Sequence, residues 1–234
     1  VYPSANSGDL PSISELLYAC GLKEVVVAST SVTYTPQTPT DLINAQSATI
    51  EVYEAGKNFQ MVGARGTFTL SGKPGEVLMA KFQLASTYKL PTADVTIPNV
   101  PDPVGAPMTF SGAVAVTEDG SEIDVGEFEF SLQSEIDHAV SSVGSRVFLT
   151  DYIPTLKINP LAVANAVEWD RLLNSTTVTL NADFGSTKMV LDIPRANLVA
   201  MSPEERNKRS AYKQEWECLE TIAGTDDAFS LTFF

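Results

Sequence analysis

Residues 62–88 read VGARGTFTLSGKPGEVLMAKFQLASTY, and this stretch predicts a β-hairpin. The runs Thr67–Leu70 and Val77–Leu84 are strand-like, and in the second Leu78, Ala80, Phe82 and Leu84 recur at period two, so they share one face. Lys73-Pro74-Gly75 between them is turn chemistry, with proline presetting φ and glycine free of Cβ strain. Working towards the N-terminus, further strands are expected at Phe59–Val62, Ala48–Tyr53, Ser31–Tyr34 and Val25–Val27. Before them, Ser12 and Glu15 form a capping box after Pro11 for a helix over 11–21, with Ile13, Leu16, Leu17 and Cys20 on one face and Gly21 as its stop.

Towards the C-terminus the pattern breaks. Prolines at 91, 98, 101, 103 and 107 deny residues 89–107 both helix and central-strand pairing, which marks a linker. The expected division is a first β domain over 1–88 and a second over 108–234. In the second, strands are expected at Thr109–Val116, Ile123–Leu132, Ser145–Leu149 and Thr155–Ile158. The apolar phase shifts between Val125 and Phe128, which predicts a bulge near Gly126. Asn159-Pro160 reads as the cap and first residue of a helix to about Leu173. Strands resume at Thr176–Phe184, Lys188–Ile193, Ala211–Glu220 and Phe229–Phe234. The fold class is all-β with short flanking helices, in two tandem sandwich or barrel units.

The two halves also repeat in order: helix, strand, strand, hairpin. Aligning Gly56–Gly72 with Gly185–Pro203 sets Arg65 opposite Arg195, and aligning Met79 with Lys213 sets Phe82 opposite Trp216. The second half carries strands before its helix that the first lacks, so their counterparts are expected upstream of Val1.

Composition narrows the function. The chain has 234 residues, 44% hydrophobic and 19% charged, as ordinary folded β proteins do, with a formal charge of −14. Such a surface repels polyanions, and the one basic cluster, Arg206, Lys208 and Arg209, reads as a solvated turn. Cys20 and Cys218 read as small core residues, although one disulfide between them stays open, and neither sits in a CxxC or metal knuckle. No run of 18 apolar residues and no signal peptide occurs, so no membrane partner is expected. The single histidine, His138, sits in the polar text Ser134-Glu135-Ile136-Asp137-His138 and reads as a surface residue in a loop. No nucleotide-binding or hydrolase motif appears, so no catalytic residue, cofactor or metal is assigned. Residues 118–137 hold eight carboxylates and no Lys or Arg, without the spacing of a calcium loop. Within them Asp124, Glu127 and Glu129 are expected on a solvated strand face.

GLKEVVVASTSVTYTP from Gly21, the stretch from Val62, IDVGEFEFSLQS from Ile123, FLTDYIPTLKINP from Phe148 and DDAFSLTFF from Asp226 together resemble the tail tube proteins of long-tailed phages, the siphophages. The resemblance implies a non-enzymatic subunit that polymerises as stacked rings around a channel, with other tail proteins as partners. DNA would pass without specific binding. It implies a place in the virion tail after assembly in the host cytoplasm. Asp124, Glu127 and Glu129 are then candidates for an acidic channel face, and a doubled subunit favours a trimeric ring with pseudo-sixfold symmetry over a hexamer. The competing reading is a two-domain immunoglobulin-like binding or decoration module, which needs no polymer. A glycan-active enzyme is a weaker third.

Overall fold

A computed structural model describes residues 7–42, 45–93, 96–99, 107–110, 115–142, 144–162, 167–174, 177–183 and 189–234. Helix α1 (Ser14–Ala19) leads into β1 (Leu22–Val27) and β2 (Ser31–Pro36). A short α2 (Pro39–Leu42) precedes β3 (Ala48–Glu54), β4 (Lys57–Gly72), β5 (Met79–Tyr88) and β6 (Thr92–Ala93). Then come β7 (Ala115–Glu118), β8 (Ser121–Ile123), β9 (Val125–Ser131), β10 (Ser134–Ser141), β11 (Gly144–Tyr152) and β12 (Thr155–Pro160). Last are α3 (Val167–Asn174), β13 (Thr177–Asp183), β14 (Met189–Arg206), β15 (Arg209–Cys218) and β16 (Ser230–Phe233).

The strands form two packed layers. One is the antiparallel run β14–β15–β12–β9–β4–β5. The other joins β1, β2 and β16 to the first half of β14, and continues through β13, β7 and β8. Strand β14 serves both layers, turning between them at a register shift near Val199. Between the layers, Trp216, Leu156, Phe130, Phe68 and Leu198 meet Tyr34, Leu191, Ile193, Phe229 and Phe233, all buried in one cluster. Helix α1 adds Leu17 and Cys20 to it.

Residues 1–88 and 108–234, expected to be two domains, thus share one sheet and one core. Strand β2 pairs with β16, β4 pairs with β9, and side chains of both halves interdigitate in the same cluster. The linker reading covers residues that include the short β6, which pairs with the start of β4; residues 94–95 and 100–106 lie outside the described set. The repeated order does have a structural counterpart. In β3–β4–β5 and in β13–β14–β15, a long middle strand pairs its first half with the preceding strand and its second with the following one. Both long strands point the same way in the sheet, with β15, β12 and β9 between them.

Several boundaries differ from expectation for identifiable reasons. Strand β4 is one strand of 16 residues where two were expected, because Gly63 at φ +65 absorbs a register shift without ending the pairing. Strand β14 runs through Pro194 and Pro203. Pro194 falls at a register shift against β13, and Pro203 lies where β14 has β15 on one side only. The helix expected from Asn159 begins at Val167 among the described residues, and Asn159-Pro160 forms the end of β12. Ser12 caps nothing: α1 starts at Ser14 without a side-chain cap, and the Ser14 hydroxyl donates to Glu24 instead. The stretch holding His138 is strand β10, paired with β11 in a separate hairpin.

Trp216 is fully buried in the shared core. Trp216→Ala is expected to lower the unfolding free energy by about 3–5 kcal/mol, measured by urea denaturation. Wild type should lose the signals of both halves in one transition, since neither half has a core of its own.

Candidate channel and assembly surface

The six strands of the first layer keep a common register that sorts side chains into rungs. Ala80, Leu70, Phe130, Leu156, Trp216 and Leu198 stand side by side facing the core. The next rung faces outward and reads Met79, Ser71, Glu129, Lys157, Glu215 and Ala200. Period-two alternation makes this inevitable: each apolar residue that goes in sends its polar neighbour out. Part of the outward face is hollowed into a shallow trough of about 350 Å³ lined among others by Lys73, Glu127, Glu129, Lys157 and Lys213.

Charge on this face is mixed. Lys157 Nζ stands 3.8 Å from Glu129 and 3.6 Å from Glu215, and Lys73 Nζ stands 2.6 Å from Glu127. The Glu127 pairing holds the Lys73 ammonium above its ordinary pKa. All of these groups keep a third or more of their side-chain surface in water, so the pairs are screened and hold register more than they stabilise.

Of the three acids singled out in the sequence, Glu127 and Glu129 share this face. Asp124 precedes β9, pairs with Arg206 and lines a neighbouring hollow together with Glu127. There Val125 pairs with Pro160 and Phe128 with Ile158, so β9 carries one extra residue at Gly126-Glu127. The Asn159 carboxamide oxygen accepts both exposed N–H groups of the bulge, at 2.8 Å from Gly126 and 2.5 Å from Glu127. Arg206 lies across it, donating to Asp124 Oδ1 at 2.7 Å and to the Asn159 carbonyl at 3.2 Å. A Cβ on Gly126 would come within 2.5 Å of the Arg206 side chain, so a larger residue there would displace the Arg206 clamp. Sequence reasoning found the bulge from its phase shift; the clamp joins residues far apart in the chain and left no local signal.

Both outer edges of this layer are open. Among the described residues β5 pairs only with β4, and beyond Asn197 β14 pairs only with β15. At the far end of the sheet, Arg65 donates to the carbonyls of Val147, at 2.8 Å, and of Ala45, with its guanidinium over the Phe148 ring. That ties the β10–β11 hairpin to the wall. His138 is exposed on this hairpin, 2.5 Å from the Ser145 hydroxyl. Cys20 and Cys218 are both free and buried; burial pushes the Cys20 thiol up to about 12 and raises that of Cys218. Among the described residues no group of three or more His, Cys, Asp or Glu could hold a metal ion, and no helix is long and apolar enough to cross a membrane.

The two-layer β fold thus presents a polar wall with two open edges. The profile of the phage tail tube proteins matches residues 7–214. The chain belongs to that family. A search of curated proteins finds no match. As a phage tail tube protein it has a structural role in the virion tail, where such proteins assemble with their own copies and with other tail proteins. The matched span includes the whole wall except the last residues of β15.

The bulge and the surface ion pairs should respond differently to mutation. Asn159→Ala leaves two bulge N–H groups without their acceptor and is expected to cost about 1–3 kcal/mol. Lys157→Gln breaks only screened pairs and should change stability by less than about 1 kcal/mol. Chemical denaturation of the two variants against wild type checks both.

Proposed function

We propose that this chain is the polymerising subunit of a siphophage tail tube, closing into rings that stack around a channel through which DNA is ejected. The observation that carries this reading is the polarity of the open edges. Six antiparallel strands make the two outer strands, β14 and β5, run in opposite directions. The β5 edge of one copy can therefore meet the β14 edge of the next as another antiparallel pair. A closed ring leaves no edge exposed, which removes the aggregation hazard of unpaired strands.

The outward rung face then lines the channel, with Glu127 and Glu129 on it and Asp124 at its rim. Lys73 and Lys157 there have glutamates beside them, which leaves phosphates fewer free cations at which to displace counterions. The wall is wet and passes a polyanion without holding it. Assembly takes place in the host cytoplasm.

Three subunits per ring fit the strand count. With strands about 4.8 Å apart and tilted about 40°, an eighteen-stranded wall spans about 36 Å between opposite backbones and clears about 25 Å inside its side chains. Six subunits would double the wall. The recurrence of β3–β4–β5 as β13–β14–β15, in one sheet and one sense, supports a doubled subunit in which three chains imitate six units.

Purified full-length chain, concentrated at low salt, should form rings or tubes by negative-stain microscopy. A reconstruction should show threefold symmetry and a β5–β14 ladder between copies. Amides of β5 and of residues 199–206 should exchange slowly in the tube and quickly in the free subunit. Sixfold rings of whole chains would overturn the trimer. A chain that stays monomeric at every concentration and salt would overturn the tube itself.

A further inference from the structure

The subunit carries −14 charges, so two rings placed end to end repel unless their facing surfaces differ. They do differ. At one end of the wall, the β14–β15 hairpin turns through Asn207-Lys208, both at positive φ, +52 and +63, a tight two-residue turn. Arg206 fastens this turn to the bulge through Asp124 and Asn159, so the tip is held rather than loose. Lys208 and Arg209 project from it, exposed and without an ion-pair partner among the described residues.

The other end of the same strand reaches an acidic surface. Strand β15 leads from Arg209 to Cys218, about 30 Å away at about 3.3 Å per residue, and the chain continues directly to Glu220. Tyr152 feels the charges of Glu220, Asp226, Asp151 and Asp227, Asp226 feels that of Asp41, and α2, which carries Asp41, packs against β11, which carries Asp151. Asp151 and Asp41 are exposed. Burial and the neighbouring Glu220 raise the Asp226 carboxyl, which Lys23 opposes, and Arg195 donates to the Glu220 carbonyl at 3.4 Å.

We infer that the Lys208-Arg209 turn of one copy docks on the Asp41 and Asp151 surface of a second copy in the adjacent ring. The inference rests on the tube reading above and goes beyond it, because it assigns which residues join ring to ring and makes stacking one-directional. Like ends repel and unlike ends attract, so every ring adds in the same orientation. Both surfaces are exposed, and screening shortens the reach of the attraction to about 3 Å at 1 M salt. Stacking is therefore salt-sensitive, whereas the main-chain ladder within a ring is not.

The test uses the full chain in three charge-reversal variants. Lys208→Glu with Arg209→Glu, and separately Asp41→Lys with Asp151→Lys, should each still give rings, with tubes at least about tenfold shorter in electron micrographs. All four changes in one chain should restore tube length, because the two ends are then complementary again. In wild type, raising salt from 0.1 to 1 M, a fall in screening length from about 10 to about 3 Å, should shorten tubes while rings persist. Full-length tubes from either two-residue variant, or no recovery in the combined variant, overturn the docking. Rings that never stack at low salt overturn it too, and leave the ring assignment standing. If wild type forms neither rings nor tubes, the tube reading fails first and the docking with it. Circular dichroism and thermal melts of each variant establish that the altered surfaces left the fold unchanged.

Discussion

The register of the six-stranded wall is the constraint on which everything else depends. Leu70, Phe130, Leu156, Trp216 and Leu198 must align across five strands to fill the space beneath the second layer. Slipping any strand by one residue would put Ser71, Glu129, Lys157 or Glu215 into that space, and a buried unpaired charge is far costlier than the pairing it replaces. The same alternation that seals the core therefore also lays out the polar wall. No separate device is needed to bring Glu129, Lys157 and Glu215 into line.

What the sequence disclosed follows from how local each signal was. The β4–β5 hairpin, with Leu78 buried and Ala80, Phe82 and Leu84 packed against the core, was legible because its period and turn lie within 30 residues. The bulge at Gly126 was legible for the same reason. Long strands containing Gly63, Pro194 and Pro203 were not, since these residues usually end a strand and only an irregular or open-edged pairing partner excuses them. Asn159-Pro160 mimicked a helix start because an asparagine carboxamide serves a helix cap and a bulge equally well. The merging of the halves was hidden most completely: a proline-rich segment describes the path of the chain and says nothing about which strands pair across it.

Of the candidate channel residues, Glu127 and Glu129 lie on one strand face by alternation, and Asp124 stands just before the bulge beside Arg206. The acidic stretch as a whole was read without its partners. Lys73, Lys157, Arg171 and Arg206, which face its carboxylates, come from elements far along the chain. Net charge is a property of the chain, but the field at a surface depends on which lysine the sheet brings alongside.

The pairing of β2 with β16 sets the order of events during synthesis. Val32 and Tyr34, buried against Leu231 and Phe233, have no strand to close over them until roughly 200 further residues have been made, about 10–40 s at ordinary elongation rates. Until β16 has emerged the second layer stays open, and the nascent chain presents an incomplete sandwich. Strand β16 thus acts as a timer, delaying closure of the sandwich until strands from both halves have been made.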